Sequence, residues 1–315
     1  MYYPYFRGKQ YELITIRETA GLLADNGFVP IIEPAKSQLS GLKKTLDELS
    51  ENFADGIVVV NPAIGDLRGD SGTILDFLNS DPFESNIKAG ILLTEETSVE
   101  TVVSIANAID DREVVLVHAG FADARELADR LDELPDVRTS VFFDDYCGRL
   151  YRRHFRSHSR RVLLRDGFQS RRNRDHPETE FFSDLHITFE EEGMDGFGDF
   201  LIVGDDYAES GGPAYTIAIH LTYIDSDRDD EMHIRHFLSD RQDTPQDPAG
   251  KFAEALDKLI EHLDSDDNQF VESSAIQEFR ELDQRGHYPG LGYVKKLSMK
   301  HHIETLGAFF EADDG

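Results

Sequence analysis

A single cysteine, Cys147, stands in the 315 residues of this chain. One thiol cannot close an internal disulfide or build a cysteine-based zinc site, which excludes the disulfide-stapled and zinc-finger classes. No apolar run approaches the roughly 20 residues needed to cross a bilayer. The opening MYYPYFRGKQ has no basic start followed by an apolar stretch, so it does not read as a signal peptide, and the expected address is the cytoplasm. Positive charge is scarce as well: 32 Lys and Arg, only 10 of them Lys, face 62 Asp and Glu, for a net charge of −30. Acidic surfaces of this kind keep a protein soluble and are used by halophiles, and they repel a polyanion such as duplex DNA. What is present is enough for a core. With 39% apolar residues, 21 Phe and 11 Tyr, the composition excludes an acidic disordered chain.

Against this background the stretch from Arg149 to Arg174, RLYRRHFRSHSRRVLLRDGFQSRRNR, carries ten arginines and one acid, Asp166. So local a reversal of sign needs a counter-anion: phosphate, nucleic acid or the protein's own acidic surface. Arg171, Arg172 and Arg174, with Tyr151, Phe155 and Phe168 interleaved for base stacking, read as a phosphate-binding patch. An intramolecular salt network, or a contact with a protein partner such as a second copy of the chain, accounts for the same residues.

Apolar runs of three to five residues alternate with helical stretches along most of the chain. Residues 2–8, 28–34, 56–62, 87–94, 112–120, 138–146, 160–168 and 199–206 read as strands, most followed by a helix. Runs of this kind between helices mark strands buried on both faces of a parallel sheet. Seven or eight such units predict a (β/α)8 barrel of the TIM type, and the lack of GxGxxG after the first strand argues against a dinucleotide-binding sheet. LHITFE, 185–190, reads as a further strand. The chain is expected to form one barrel domain over 1–315, with 207–245 an inserted β-hairpin after strand 8 and 270–315 a C-terminal helical extension.

Ligands of such barrels sit at the carboxyl ends of the strands. Those ends hold Arg7, Lys9, Glu33, Lys36, Asn61, His118, Asp144, Asp145, Arg165, Asp166, Asp205 and Asp206. The residues name no cofactor, but Glu33, Asp144, Asp166 and Asp205 are oxygen donors that suit Mg²⁺ or Mn²⁺. Arg7, Lys9, Asn61 and Arg165 could bind a phosphate, with His118 and Lys36 as catalytic groups; together they would make a metal-dependent phosphodiesterase or nuclease. Each also has a structural reading: Asp144–Asp145 and Asp205–Asp206 as helix caps, His118 as a donor to a carbonyl, Glu33 with Lys36 as a plain ion pair. His233 and His236 fall on opposite faces of a strand, which is poor chelation geometry. The loop 204–215 is glycine-rich but lacks the GxxxxGK[ST] pattern.

MYYPYFRGKQYELITIRE with FVPIIEPAK, SRRNRDHPETEFFSDLHITF, and GGPAYTIAIHLTY through HIRHFLSD to DPAGKFAEALDKL resemble an uncharacterised bacterial family, itself distantly similar to the phage beta-protein family. The resemblance implies association with antiphage defence islands and a partner from the same locus. It assigns no catalytic residue. Three function classes stay open: a binder of a phosphate-bearing ligand, a phosphodiesterase, and an oligomeric scaffold without catalysis.

Overall fold

Short β-branched and aromatic segments, buried on both faces, become strands that pair in parallel through most of the first two hundred residues. In the computed structural model, which describes residues 1–80, 83, 85–156, 160–209, 212 and 214–313, the strands in chain order are β1 Tyr5–Phe6, β2 Ile31–Ile32, β3 Gly56–Val59, β4 Ile87–Leu93, β5 Val114–His118, β6 Val137–Phe143, β7 Arg160–Leu164, β8 Thr179–Ser183, β9 Gly196–Gly198, β10 Ala218–Asp225 and β11 Glu231–Leu238. Strands β1 to β7 and then β9 form one eight-stranded parallel sheet in sequence order. Tyr2 bridges Phe197 in parallel, and the Tyr3 and Tyr5 amides donate to Phe197 O and Asp199 O at 2.8 and 2.9 Å, which brings the first strand against the last. The fold is a (β/α)8 barrel with an added hairpin and C-terminal helices.

Glycine makes this closure. A Cβ on Gly198 would stand 2.1 Å from the Tyr3 carbonyl oxygen and 2.4 Å from Leu164 Cδ2. The eighth barrel strand therefore lies at Gly196–Gly198 and not at 199–206. The barrel interior is filled by alternate side chains, among them Tyr3, Tyr5, Ile31, Val59, Val115, Val117, Val141, Phe143, Leu164 and Phe200.

Where one domain is expected over 1–315, the chain folds as two compact units: residues 1–165 with 188–200, and residues 166–187 with 201–315. The first holds the barrel. The second has its own antiparallel sheet, in the order β10–β11–β8, and its own core. There Ile219, Leu221 and Phe237 pack with Phe252, Leu256 and Leu259 of the helix Pro248–Leu263, Phe279 of Ser274–Arg285, and Val294 and Leu297 of Leu291–Asp313. The Asp247 and Ser273 side chains accept from Gly250 N and Ile276 N and so cap the first two of these helices. Among the described residues, no helix is long and apolar enough to cross a membrane.

The segment 185–190 is not a strand. Ser183 Oγ accepts from Leu185 N at 3.1 Å and starts a helical turn, Leu185–Thr188; the strand is the preceding TEFFS, which β11 pairs.

Candidate metal centre and cationic cavity

The polar residues at the carboxyl ends of the barrel strands are mostly consumed by the fold. Glu33, fully buried, accepts from Tyr5 Oη at 2.9 Å, from Ala63 N at 2.8 Å and from the Arg7 guanidinium. Arg7 in turn lies over the rings of Tyr5 and Phe200, 5.0 and 5.5 Å from their centroids. Asn61 acts as a peptide mimic, donating to Leu92 O and accepting from Leu92 N at 2.8 and 2.7 Å. Asp144 is held by Arg165 at 2.8 Å and Arg152 at 3.5 Å, while Asp145 is exposed. Lys36 lies 3.6 Å from Asp66 on an exposed loop, and Lys9 opens the first helix, its amide donating to Glu12 at 3.4 Å.

His118 does not face the barrel interior. Its strand neighbours Val115 and Val117 do, and the imidazole sits on the outer side of the wall, 4.6 Å from the stacked Phe142 ring and 4.4 Å from Phe155. Nδ1 is 2.8 Å from Tyr151 Oη. Complete burial pushes its pKa down to about 3, so the ring is uncharged. It is a core histidine.

Asp166 and Asp205 belong to the second unit, where Asp166 accepts from Phe168 N at 2.9 Å and Asp205 N at 2.8 Å and so fastens two loops. Of the four expected metal ligands, Glu33 and Asp144 lie in the first unit and Asp166 and Asp205 in the second. Among the described residues, the group of His, Cys, Asp or Glu whose ligand atoms approach one another closely enough, within 4.8 Å, is His176, Glu180 and His236.

Glu180 and His236, together with His220, are placed by strand register, and His176 stands just before β8. His220 and His236 are direct partners across β10 and β11, and Glu180 of β8 pairs with Ile234, so all three side chains share the face opposite Ile219, Leu221 and Phe237. Glu180 Oε1 lies 3.0 Å from His236 Nε2 and 3.4 Å from His176 Nδ1; its Oε2 accepts from Arg171 at 2.8 Å. His236 Nδ1 is 2.6 Å from His220 Nδ1. The His176, His220 and His236 rings pack at centroid distances of 4.4 to 5.0 Å. Burial lowers the pKa of all three, that of His236 to about 4 with help from His176, so near neutral pH they are uncharged imidazoles. His233, an odd number of residues from His236 along the strand, instead stacks on Tyr223 at 5.9 Å.

Beside this cluster lies a cavity of about 740 Å³, lined by Phe168, Arg171, Arg172, Asn173, Arg174, Asp206, Tyr215, Thr216, His220, Lys295 and Ser298 among others. Four cations against one carboxylate line a cavity in a protein of net charge −30. Asn173 donates to Thr216 O at 2.9 Å and pins the arginine loop to the chain entering β10. Arg171 is tied to Glu180, Arg174 lies 3.8 Å from Asp175, and Thr216 Oγ1 is buried without a hydrogen-bond partner among the described residues. The other end of the arginine-rich stretch belongs to the barrel, where Arg149 and Arg152 reach Glu192 at 3.2 and 3.4 Å. The intramolecular salt network thus takes Arg149, Arg152 and Arg165, while Arg171, Arg172 and Arg174 line the cavity.

Of the sequence-derived candidates, Arg171, Arg172 and Arg174 come together around one space. His176, Glu180 and His220 were not among them. The only signal for them is the alternation of IHLT and HIRH on two strands, together with HPETE, and it acquires meaning only through the pairing of three strands. Searches of the chain against models of protein families and against curated proteins found no match.

Proposed function

We propose that the chain binds a phosphate-bearing small ligand, a nucleotide or the end of a nucleic-acid strand, in the arginine-lined cavity of its second unit. The observation that carries this reading is the sign of the lining: Arg171, Arg172, Arg174 and Lys295 face one acid, Asp206, although acids outnumber bases almost two to one in the chain. Guanidinium groups bind phosphate oxygens in pairs, and Phe168 and Tyr215 supply aromatic faces for a base. The volume lies within the range of small-molecule sites. Confinement to a cavity and the −30 charge favour a small anion over tracking along a duplex. A cytoplasmic setting, where nucleotides abound, agrees with this, and so does the defence-locus setting that the resemblance implies, in which the ligand or a partner protein from the same locus would be the signal.

Calorimetric titration of the protein with a panel of mono- and dinucleotides at 50 and 300 mM salt is the test. Binding that weakens with salt, and falls at least about tenfold in Arg172→Glu and in Lys295→Glu, supports the reading. No heat with any nucleotide, from protein that remains folded, overturns it.

A further inference from the structure

The geometry points to a metal centre: we propose that His176, Glu180 and His236 hold one divalent transition-metal ion in a two-histidine, one-carboxylate site. Spacing supports it first. The Glu180 oxygen lies 3.0 and 3.4 Å from the two histidine nitrogens, close to the edge length of a coordination polyhedron whose bonds are about 2.1 Å. The same separations that serve as hydrogen bonds here also suit neighbouring ligands of one cation.

The His176 side chain is itself buried, only 1% exposed. The surrounding contacts also match what ligands of a metal need from their neighbours. His236 has its far nitrogen 2.6 Å from His220, and Glu180 has its second oxygen fixed by Arg171. Nitrogen donors favour Zn²⁺, Fe²⁺, Co²⁺ or Ni²⁺ over Mg²⁺ or Ca²⁺. Three protein ligands leave positions open. The site does not depend on phosphate binding, and its test uses the metal alone.

Protein stripped by chelator is titrated with Co²⁺ in high salt and excess Ca²⁺, which occupy the acidic surface. One equivalent of Co²⁺ should bind with visible d–d absorption, and Zn²⁺ should displace it. His236→Gln and Glu180→Gln should each weaken binding by at least about 100-fold while the far-ultraviolet dichroism is retained. A crystal soaked in Zn²⁺ should give an anomalous peak between the three side chains. Because the wild-type crystal tests the site without any variant, a misfolded variant does not rescue the idea. Folded wild-type protein without that peak, or Co²⁺ binding equally in the folded variants, overturns it. Nucleotide binding that persists in the metal-free protein would leave the cavity assignment standing by itself.

Discussion

His220 and His236 approach Nδ1 to Nδ1 at 2.6 Å, a distance at which one ring must donate and the other accept. With no cation bound, the His236 Nε2–H serves Glu180 and its Nδ1 accepts from His220. A cation at His236 Nε2 would displace that proton to Nδ1 and reverse the direction of the bond. Zn²⁺ should therefore exchange the tautomers of both rings, read as paired changes in their ¹⁵N shifts. His220→Ala should weaken Zn²⁺ binding by about 10- to 100-fold without abolishing it, as removal of a group behind a ligand does. Unchanged shifts in Zn²⁺-saturated protein would contradict this.

Two other histidines contribute to the response to acid. Burial holds His118 and His301 at about 3, while the same rings in the unfolded chain take a proton near 6.5. Between those values the unfolded state binds more protons, so stability is lost as the pH falls below about 6.5. Each ring contributes a slope of up to ~1.4 kcal/mol per pH unit. His118→Phe combined with Tyr151→Phe removes one titrating ring and its hydrogen-bond partner together, which spares the fold an unpaired hydroxyl. Urea midpoints from pH 7.5 to 5 should fall less steeply in the double variant than in the parent.

Arginine has separate duties in the two units, and charge reversal should distinguish them. Glu33→Gln deprives the nearly buried Arg7 of its counter-charge and should cost about 3–5 kcal/mol of stability. Arg172→Glu, on an exposed residue of the cavity loop, should shift stability by no more than about 0.5 kcal/mol while reducing nucleotide binding. Parallel denaturation and calorimetry on both variants give the comparison.

Gly198→Ala should cost about 3 kcal/mol or more, because the new methyl group meets the backbone of the first strand at 2.1 Å, where no side chain can yield. Gly212→Ala has open space around it and serves as the control, with an expected change within about 0.5 kcal/mol. Thermal unfolding of the two variants against the parent is sufficient.

Much of the barrel was legible because runs such as VVLV at 114–117 can satisfy both faces only inside a parallel sheet. The eighth strand was misplaced because GFG has none of the apolar bulk that marks a strand, yet its lack of bulk is the reason it fits. LHITFE alternates like a strand, but the Ser-Asp pair before it starts a turn. The site was harder to read. Position at a strand end says where a carboxylate is, not whether an arginine or a backbone amide has already claimed it, as happened to Glu33, Asp144 and Asp166. The histidine cluster was hidden for another reason. His176, Glu180, His220 and His236 meet only when three strands adopt one register, and a shift of a single residue would send His236 to the other face.

The seam between the first and last barrel strands also sets a timetable. Tyr2 donates its hydroxyl to Asp199, 197 positions later, at 2.7 Å. A ribosome adding about 5–20 residues per second needs roughly 10–40 s between those two residues. Throughout that interval the aromatic first segment, Tyr2 to Phe6, has no partner for one of its edges. Until the later residue is made, the ring cannot shut.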